Sequence, residues 1–518
     1  MRQNRQGLLP FQFECAGPTH RATAHAGLCP YLELACVAGL PHSIRKHVKV
    51  CSESQGWTAE QIVLSLICLN LAGGECVDDL QILESDEGFG RVLRMAERHH
   101  LSREEQRAFA KRWHKGRNRH TPSASVVFRF LSALHDPAQE KLRLPGKAFI
   151  PAPTNGLRAM AQVNADLLAF LQSRRPETLA TLDMDATVIE TFKRDALYSY
   201  KGCKAYQPMN VYWAEQSALL FTEFRDGNVP AGYEQLRVLQ EALSQLPAGV
   251  GKVRLRSDTA GYQHDLLRWC SAGKSERFGV IEFAIGCDVT QEFRRAVTQV
   301  AEGDWKPLYE QIGGRPVATG REWAEVPLYV PVGTARSKSD PDYRYLATRE
   351  ALRQQPLPGL QEGQVQLELP FQTMRMGGRG CQLSYKVFGS VTNMAWSGDR
   401  VLRWQYQRCG KSEEVHSVQK EDLAGGQLPS ADFGENAAWW WAMVLAFNLN
   451  VLMKRLVLGD DWTKRRMKAL RFHLIDVAGT LLTHAGQFVM KLSVTADVFR
   501  FLRDIRRAIL ALQAPVPT

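Results

Sequence analysis

The sequence lacks the paired cysteines of a zinc-binding or disulfide-bonded protein. Its 11 cysteines are scattered, their number is odd, and no two of them form a Cys-x-x-Cys pair. Structural zinc sites use closely spaced Cys or His pairs, so this spacing predicts reduced thiols in a cytoplasmic protein. The first residues, MRQNRQGLLPFQFE, contain no long apolar run, so a signal peptide is not expected.

Long apolar runs and nucleotide-binding motifs are also missing. The longest apolar run, 437–453, is interrupted by Asn448 and Asn450. It is shorter than the ~20 residues of a membrane span, which predicts a buried core helix and no membrane partner. The glycine run at 377–380 lacks the GK[ST] of a phosphate-binding loop and predicts a turn. No C₂H₂ finger, zipper or internal repeat is present.

The charge balance is basic and points to a polyanionic partner. The chain has 65 Lys+Arg against 54 Asp+Glu, and its pI is about 9.1, which favours nucleic acid. The basic residues are dense between 91 and 120, and this stretch is either a solvated charged face or a surface that contacts phosphates. The candidate DNA contacts within it are Arg107, Lys111, Arg112, Lys115 and Arg117.

The texture of the sequence changes several times along its 518 residues, a length typical of about two to four domains. Residues 1–25 are predicted to be a flexible segment, and residues 26–175 a helical, basic, DNA-binding region. From 176 to 289 the pattern is α/β. The stretch 290–385 is β-leaning, with an alternating strand pattern at 364–369. After a strand at 385–391, one helix is predicted to run through Tyr406 and Glu413 to Lys420, and 435–513 is interpreted as helical; both lie in the segment 386–518.

Apolar strand and helix patterns organise the central part of the chain. Two N-terminal helix starts have capping-box spacing, Thr58 with Gln61 and Ser102 with Glu105. Strands are predicted at 179–184, 210–213, 218–224, 252–258 and 279–286, and helices at 233–246 and 262–272.

Three acidic residues fall where a divalent-metal phosphodiester site would need them. Asp185 and Asp258 each end an apolar strand, and Glu413 lies on a predicted helix. Carboxylates on separate elements can hold ions that stabilise the attacking and leaving oxygens of an in-line displacement. Mg²⁺ prefers oxygen ligands and keeps some waters, so a few carboxylates suffice. Asp183 competes with Asp185, since strand alternation puts both on one face, and Glu414 competes with Glu413.

Several blocks of sequence carry a family resemblance. They are LDMDAT at 182–187, KGCKAYQPM at 201–209, VRLRSDTAGY at 253–262, RFGVIEFAIG at 277–286, and the stretch from Tyr406 through Arg408 and Glu413 to Lys420. Together they resemble insertion-sequence transposases of the DDE type, the transposase DDE domain group 1 family. The last stretch is similar to the Y-x2-R-x3-E-x6-K signature of related transposases, with one residue, Cys409, inserted after Arg408.

This resemblance implies a fold, a metal site and a reaction. The fold would be α/β, an RNase H-like core in 176–289 and 386–518, with a β-rich insertion at 290–385 and helical N- and C-terminal regions. Asp185, Asp258 and Glu413 would bind two Mg²⁺ or Mn²⁺ ions. These would activate water for cleavage at the element ends, and then the freed 3′-hydroxyl for attack on target DNA.

The resemblance also implies partners. Double-stranded DNA, as terminal inverted repeats and as target, would be held by a homodimer of a bacterial, nucleoid-associated protein. Tyr406, Arg408 and Lys420 would contact this DNA. The indoles of Trp439, Trp440 and Trp441 would either stack on an unpaired base or pack inside their helix. Two alternatives are an RNase H-like nuclease that cuts without joining, and an inactive, transposase-derived DNA-binding protein.

Overall fold

The computed structural model describes residues 21–51, 56–111, 119–327, 329, 343–351, 373–376, 383–484 and 487–513. The described residues form two compact units. The helical unit takes its residues from 1–130, 422–424 and 452–518. The sheet unit takes its residues from 131–421 and 425–451. The strand pattern predicted at 364–369 lies outside the described residues.

The helices occur in both units and dominate the N-terminal part of the chain. They are α1 Leu28–Val37, α2 Leu40–His47, α3 Ala59–Ala72, α4 Leu80–Ser85, α5 Glu87–His99, α6 Arg103–Lys111, α7 Ala124–Ser132, α8 Pro137–Glu140, α9 Asn155–Arg174, α10 Gln235–Gln245, α11 His264–Ser271, α12 Gln291–Thr298, α13 Gly398–Tyr406, α14 Lys411–Ser417, α15 Phe433–Leu452, α16 Asp460–Thr463, α17 Met467–Leu470 and α18 Ala496–Ala511.

The strands are concentrated in the middle of the chain. They are β1 Ala22–Thr23, β2 Leu179–Ala186, β3 Ile189–Glu190, β4 Leu197–Tyr198, β5 Lys204–Tyr206, β6 Met209–Trp213, β7 Ala218–Glu223, β8 Lys252–Ser257, β9 Glu282–Cys287, β10 Lys306–Ile312, β11 Arg315–Glu325, β12 Arg344–Ala351, β13 Thr373–Met376, β14 Leu383–Thr392, β15 Gly479–His484 and β16 Gln487–Leu492.

The helical unit contains both of the predicted capping boxes. At the start of α3, Thr58 Oγ1 accepts from the backbone N–H of Gln61 (3.2 Å), and Gln61 Oε1 accepts from the backbone N–H of Thr58 (3.1 Å). Ser102 and Glu105 exchange the same pair of bonds before α6. Each box satisfies N–H groups that the first turn of a helix leaves unpaired. The prediction of a mainly helical N-terminal region is confirmed by α1 to α8.

The interpretation of the C-terminal part as mainly helical is wrong for residues 479–492. Strands β15 and β16 pair as an antiparallel hairpin there, and β1 adds to the edge of β15. The hairpin sequences GTLLTH and QFVMKL contain Thr, Val and Phe, which suit strands, and Leu481 is buried while His484 is exposed. The apolar spacing was compatible with either structure, because short apolar runs do not distinguish helix from strand.

The sheet unit is built on one mixed sheet with the strand order β10-β11-β12-β14-β9-β8-β2-β6-β7, and β13 also pairs with β14. Strand β2 is parallel to β8, and β8 is parallel to β9. On its other side β2 is antiparallel to β6, which forms a hairpin with β7. The five strands predicted between 179 and 286 are confirmed as β2, β6, β7, β8 and β9.

The β-rich stretch extends this sheet instead of forming a sheet of its own. Strand β14 pairs antiparallel with β9, and β12, β11 and β10 continue outward from β14. Helix α13 follows β14, and its Val401 and Leu402 are buried in a cluster with Trp323 of β11 and Leu346 of β12. The chain between Asp258 and Glu413 therefore returns through the same sheet, as strand β14 beside β9.

Helix α15 is a core helix that packs on β7. Residues Phe433–Leu458 are apolar enough and long enough to cross a membrane, yet most of this segment is buried inside the protein. The amide of Asn448 bonds both the N–H (3.0 Å) and the carbonyl (2.8 Å) of Leu219 in β7. Trp439, Trp440 and Trp441 are buried. The packing interpretation of the three indoles is confirmed.

Candidate active site

Two of the predicted acids lie at the same end of adjacent parallel strands. The register of β2 and β8 pairs Asp183 with Arg256 and Met184 with Ser257. The next step along both strands puts Asp185 beside Asp258, the residue that follows β8. Neighbouring strands are about 4.8 Å apart. The backbones of Asp185 and Asp258 are therefore adjacent, because the paired positions of β2 and β8 are a constant 73 residues apart in sequence.

The turn after Asp258 is closely packed against its surroundings. Asp258 Oδ1 accepts from the backbone N–H of Ala260 (3.0 Å), which caps a short 3₁₀ turn at Thr259–Gly261. A Cβ at Gly261 would lie 2.6 Å from Ser257 Oγ, so only glycine fits there. This turn holds the Asp258 backbone at the end of β8 and leaves its carboxylate exposed to solvent.

The third acid is delivered by a helix break, not by one continuous helix. Helix α13 ends at Tyr406, Gly410 has a φ of +73°, and α14 begins at Lys411. The expectation of a single helix from Tyr406 to Lys420 is wrong, because a left-handed residue interrupts the helical hydrogen bonds. Glu413 occupies the first turn of α14 and is exposed.

A hydrogen bond connects this break to the first acid. Arg408 Nη2 donates to Asp185 Oδ2 at 3.0 Å, and the Arg408 side chain is almost fully buried. Burial raises the pKa of Asp185 to about 6. Arg408 opposes this rise, whereas Asp258 and Glu413 add to it. Asp258 and Glu413 are thus both near enough to Asp185 to act on it electrostatically.

Asp183 has a different environment from Asp185. Arg256 Nε and Nη2 bind its two oxygens at 2.6 and 2.8 Å, and both side chains are buried. Arg256 Nη1 also donates to the carbonyl of Trp404 (2.8 Å), and its guanidinium lies 5.0 Å from the centre of the Trp404 ring. A carboxylate that accepts a bidentate pair inside the core is committed to the fold.

The other residues predicted from the transposase signature have distinct contacts. Lys420 Nζ donates to the carbonyl of Val188 (3.3 Å), in the chain that leaves β2, and burial lowers the pKa of Lys420. Tyr406 Oη is 3.1 Å from Thr348 Oγ1, and its ring packs against the cluster around Trp323. Glu414, the competitor of Glu413, accepts from Lys411 Nζ at 2.9 Å.

The basic residues predicted to contact phosphates belong to the helical unit. Arg107 and Lys111 are exposed on α6. Arg112, Lys115 and Arg117 lie outside the described residues. Their role as DNA contacts stays a prediction.

Sequence reasoning missed two features near the acids. His416, one turn after Glu413, has its pKa lowered to about 4 by burial and by the nearby cation of Lys420. A chain of buried hydrogen bonds also runs behind Asp185. Trp440 Nε1 donates to Thr222 Oγ1 (2.9 Å), Thr222 Oγ1 donates to Asn210 Oδ1 (2.7 Å), and Asn210 Nδ2 donates to Gln419 Oε1 (3.3 Å). The Glu-x2-His spacing from Glu413 could have pointed to His416. The hydrogen bonds through Thr222 and Asn210 had no signal in the sequence, because each is a single polar residue within a strand.

The acids match the chemistry of a hard divalent cation. Carboxylate oxygens are the ligands that Mg²⁺ and Mn²⁺ prefer, and a bound cation would lower the raised pKa of Asp185. In the described part of the chain, no group of three or more His, Cys, Asp or Glu side chains is drawn together tightly enough to hold one ion. Arg408 supplies the positive charge next to Asp185 instead.

Comparisons with known proteins identify the family of this chain. A similarity to a solved structure, the cryo-EM synaptic complex of piggyBac transposase with hairpin DNA, has 10% sequence identity and a TM-score of 0.35, over 86% of this chain and 85% of that chain. A search of curated proteins finds no match. The family model described as transposase DDE domain group 1 matches residues 14–323 and 373–514. Because that match spans most of the sequence and includes Asp185, Asp258 and Glu413, the chain belongs to the transposase DDE domain group 1 family.

Proposed function

We propose that this protein is a DNA transposase that cleaves the ends of an insertion sequence and joins them to target DNA. The observation that carries the proposal is that Asp185 and Asp258 lie at the same end of adjacent parallel strands, with Glu413 near enough to Asp185 to raise its pKa. Membership in a DDE transposase family gives this arrangement its chemical meaning.

The proposed core is RNase H-like, formed by β7, β6, β2, β8 and β9. Three antiparallel strands followed by two parallel ones, in this spatial order, support that assignment. In such a sheet, acids at the ends of the two central strands face one side of the molecule. The strands beyond β9 would then be the insertion that precedes the third acid.

In this proposal Asp185, Asp258 and Glu413 hold two Mg²⁺ or Mn²⁺ ions. Bound ions of this kind stabilise the attacking and leaving oxygens of an in-line phosphoryl displacement. The chain's own contribution is to position the ligands. Arg408 orients the Asp185 carboxylate and opposes its protonation, while the turn after Asp258 holds the second acid.

The proposed partner is double-stranded DNA, both as terminal inverted repeats and as target. The basic charge of the chain and the exposed cations Arg107 and Lys111 support a phosphate-binding surface. The proposal includes a homodimer, because two element ends must be held together for joining. It also includes a cytoplasmic, nucleoid-associated location.

Strand cleavage and joining on labelled DNA carrying the element's own end tests this function. The reaction is run with Mg²⁺ and with EDTA, using the wild type and Asp185→Asn, Asp258→Asn and Glu413→Gln. Glu414→Gln is the matched control for the third acid, since Glu414 pairs with Lys411. We expect metal-dependent cutting and joining in the wild type and the control, and loss of at least 100-fold in the three variants.

The other outcomes are equally informative. Cutting without joining would replace the transposase by a nuclease. DNA binding without any cutting would identify an inactive, transposase-derived binding protein. Activity retained only by Glu413→Gln would move the third acid to Glu414.

A further inference from the structure

A small three-stranded sheet beside the acids presents unusually exposed aromatic residues. This side sheet comprises residues 189–206, with the strand order β3-β5-β4. Phe192 is completely exposed (105%), and Tyr198 and Tyr200 are 66% and 78% exposed. In the described part of the sheet unit, other exposed aromatics such as Tyr233 (36%) and Tyr309 (41%) are much less accessible. A cluster of solvent-facing rings is a common mark of an interaction site.

The side sheet has a fixed base. The ring of Tyr206 at the end of β5 is buried, 4.9 Å from that of Phe224 and 6.1 Å from that of Phe433. The N–H of Thr187 donates to the carbonyl of Pro208 (3.0 Å), which closes the chain around the sheet. A Cβ at Gly227 would lie 2.4 Å from the carbonyl oxygen of Ala205. The exposed rings therefore project from a backbone that is packed against the core.

The side sheet borders the acids. It begins at Ile189, four residues after Asp185. Lys420 Nζ donates to the carbonyl of Val188, immediately before β3. Lys201, in the turn between β4 and β5, lies close enough to Lys420 to interact with it electrostatically. Lys420 belongs to the helical run that carries Glu413, so the rings and the acids occupy neighbouring parts of one unit.

The charge of the side sheet suits a polyanion. Four cations, Lys193, Arg194, Lys201 and Lys204, outnumber the two carboxylates Glu190 and Asp195. Arg194 is bound to Asp195 (2.9 Å), and Lys204 Nζ donates to the carbonyl of Arg194 (2.6 Å). Lys201 is exposed next to Tyr200. Exposed rings interleaved with cations are the pattern that binds unpaired nucleic acid, through base stacking and phosphate contacts.

We propose that the side sheet binds unstacked DNA bases next to the scissile phosphate. Phe192 and Tyr200 would stack on a base that is unpaired at the cut, and Lys201 would bind an adjacent phosphate. This inference rests on the proposed function for the position of the cut, and it adds a base-binding surface to the metal-holding acids. Stacking tolerates any base, because every base has a flat π-face, so the surface would recognise distortion and not sequence.

The test measures stacking without requiring chemistry. The probe is an element-end duplex with two unpaired nucleotides at the cut, one of them 2-aminopurine, bound in EDTA. The variants are Phe192→Ala, Tyr200→Ala and Phe192→Trp, and Tyr309→Ala on β10 is the control for loss of an exposed ring. We expect both side-sheet alanine variants to relieve 2-aminopurine quenching and weaken binding about 10-fold. Phe192→Trp and Tyr309→Ala should stay within about twofold of wild type.

A second measurement addresses the phosphate contact. Lys201→Gln should reduce the slope of log affinity against log salt by about one unit while leaving quenching in place. Matched thermal unfolding of every variant reports whether the fold is intact.

Failure of this inference is distinguishable from failure of the transposase proposal. If the wild type never cuts DNA but quenches 2-aminopurine, and Phe192→Ala loses that quenching, the proposed function is contradicted and the side-sheet inference is supported. Unchanged quenching and unchanged cutting in the double variant Phe192→Ala with Tyr200→Ala would overturn the side-sheet inference alone. Conversion of a dimer to a monomer by Phe192→Ala, with DNA binding unchanged, would also overturn it and assign the rings to a second copy of the chain.

Discussion

Arg408 and Asp185 are 223 residues apart in sequence and are joined by a 3.0 Å hydrogen bond between Nη2 and Oδ2. The guanidinium is the one cation bonded directly to the proposed metal-holding acids in the described parts of the chain. It counteracts the rise in the pKa of Asp185 that burial and the neighbouring acids produce. Arg408 thereby favours the ionised form of Asp185, against the larger opposing effect of burial.

Replacing Arg408 by Gln should move the acid limb of DNA cleavage to higher pH. Without the guanidinium, the pKa of Asp185 rises above about 6, so less of the carboxylate is ionised at a given pH. A pH–rate profile at subsaturating Mg²⁺, where Asp185 must lose its proton before it can bind the ion, measures the shift. Arg403→Gln is the control, because Arg403 pairs with Asp399 on α13 at 2.7 Å and does not contact Asp185. If the acid limb of the pH–rate profile is unchanged in Arg408→Gln, a group other than Asp185 determines the pKa of that limb.

Asp258→Asn should stabilise the metal-free protein at pH 7.5. The pKa of Asp185 lies near 6 in the folded protein, above its ordinary value of 3.8, so ionising Asp185 costs folding free energy. The contribution of Asp185 to folding stability is therefore complete below about pH 4, where the carboxyl is protonated, and is lost as the pH rises through about 6. Removing the Asp258 charge lowers the pKa of Asp185 and recovers part of this loss, less than about 1 kcal/mol because Asp258 is exposed to solvent.

Urea unfolding in EDTA at pH 4.5 and 7.5 measures this difference. The gain of Asp258→Asn over wild type should be larger at pH 7.5, where Asp185 is ionised. An equal gain at both values would show that like-charge repulsion is not its source. Asp265→Asn, which changes an acid on α11 outside the cluster, controls for the general effect of net charge.

Asp183→Asn should destabilise the fold by about 3–5 kcal/mol, because it leaves Arg256 buried without its carboxylate. Urea unfolding of this variant measures the loss. Asp195→Asn breaks the exposed pair with Arg194 and should change stability little. A stable Asp183→Asn protein that has lost only activity would instead make Asp183 the first metal-holding acid.

His416 should remain neutral between pH 5 and 8. Burial and the nearby Lys420 lower its pKa to about 4, so its contribution to stability is complete above its ordinary value of 6.5 and is lost as the pH falls toward 4. NMR of selectively labelled histidine follows the imidazole directly. Lys420→Gln should raise the His416 pKa, whereas Lys411→Gln, which removes the partner of Glu414, should not. Titration of wild-type His416 near 6.5 would contradict this.

Thr222→Val should destabilise the sheet unit by about 1–3 kcal/mol, since it removes the acceptor of the Trp440 indole and the donor to Asn210. Cleavage should fall as well, because Asn210 also binds Gln419 on the helical run that bears Glu413. Denaturation and cleavage rates at matched temperatures separate the two effects. Thr298→Val, at an exposed hydroxyl, should change neither. Full activity in Thr222→Val would show that the hydrogen bonds from Trp440 through Thr222 and Asn210 to Gln419 do not position Glu413.

The central strands and their acids were predictable because local patterns determine them. Strand β2 and its terminal Asp185 are readable as an apolar run ending in a carboxylate, and so are β8 and Asp258. Thr58 and Gln61 likewise specify a helix start within four residues.

Other features depend on contacts that a local pattern does not contain. The ion pair of Asp183 with Arg256 depends on the register between β2 and β8. The different roles of Asp183 and Asp185 are therefore visible only after the two strands have been paired. The break at Gly410 depends on a left-handed residue within an otherwise helical spacing. The hairpin at 479–492 also pairs with β1, which is far away in sequence and so is not visible in the local pattern.

The order in which the chain is synthesised gives the sheet topology a further consequence. A nascent polypeptide that ends at Thr392 already has Asp185, Asp258 and strand β14, but neither Arg408 nor Glu413. Such a truncated product would hold two neighbouring like charges without the guanidinium that compensates them and without the third acid. In the proposed function, cutting requires Glu413, so no cutting activity is expected on the ribosome before the part of the chain after β14 has emerged, and a product terminated before Glu413 is expected to be unable to cut DNA through this site.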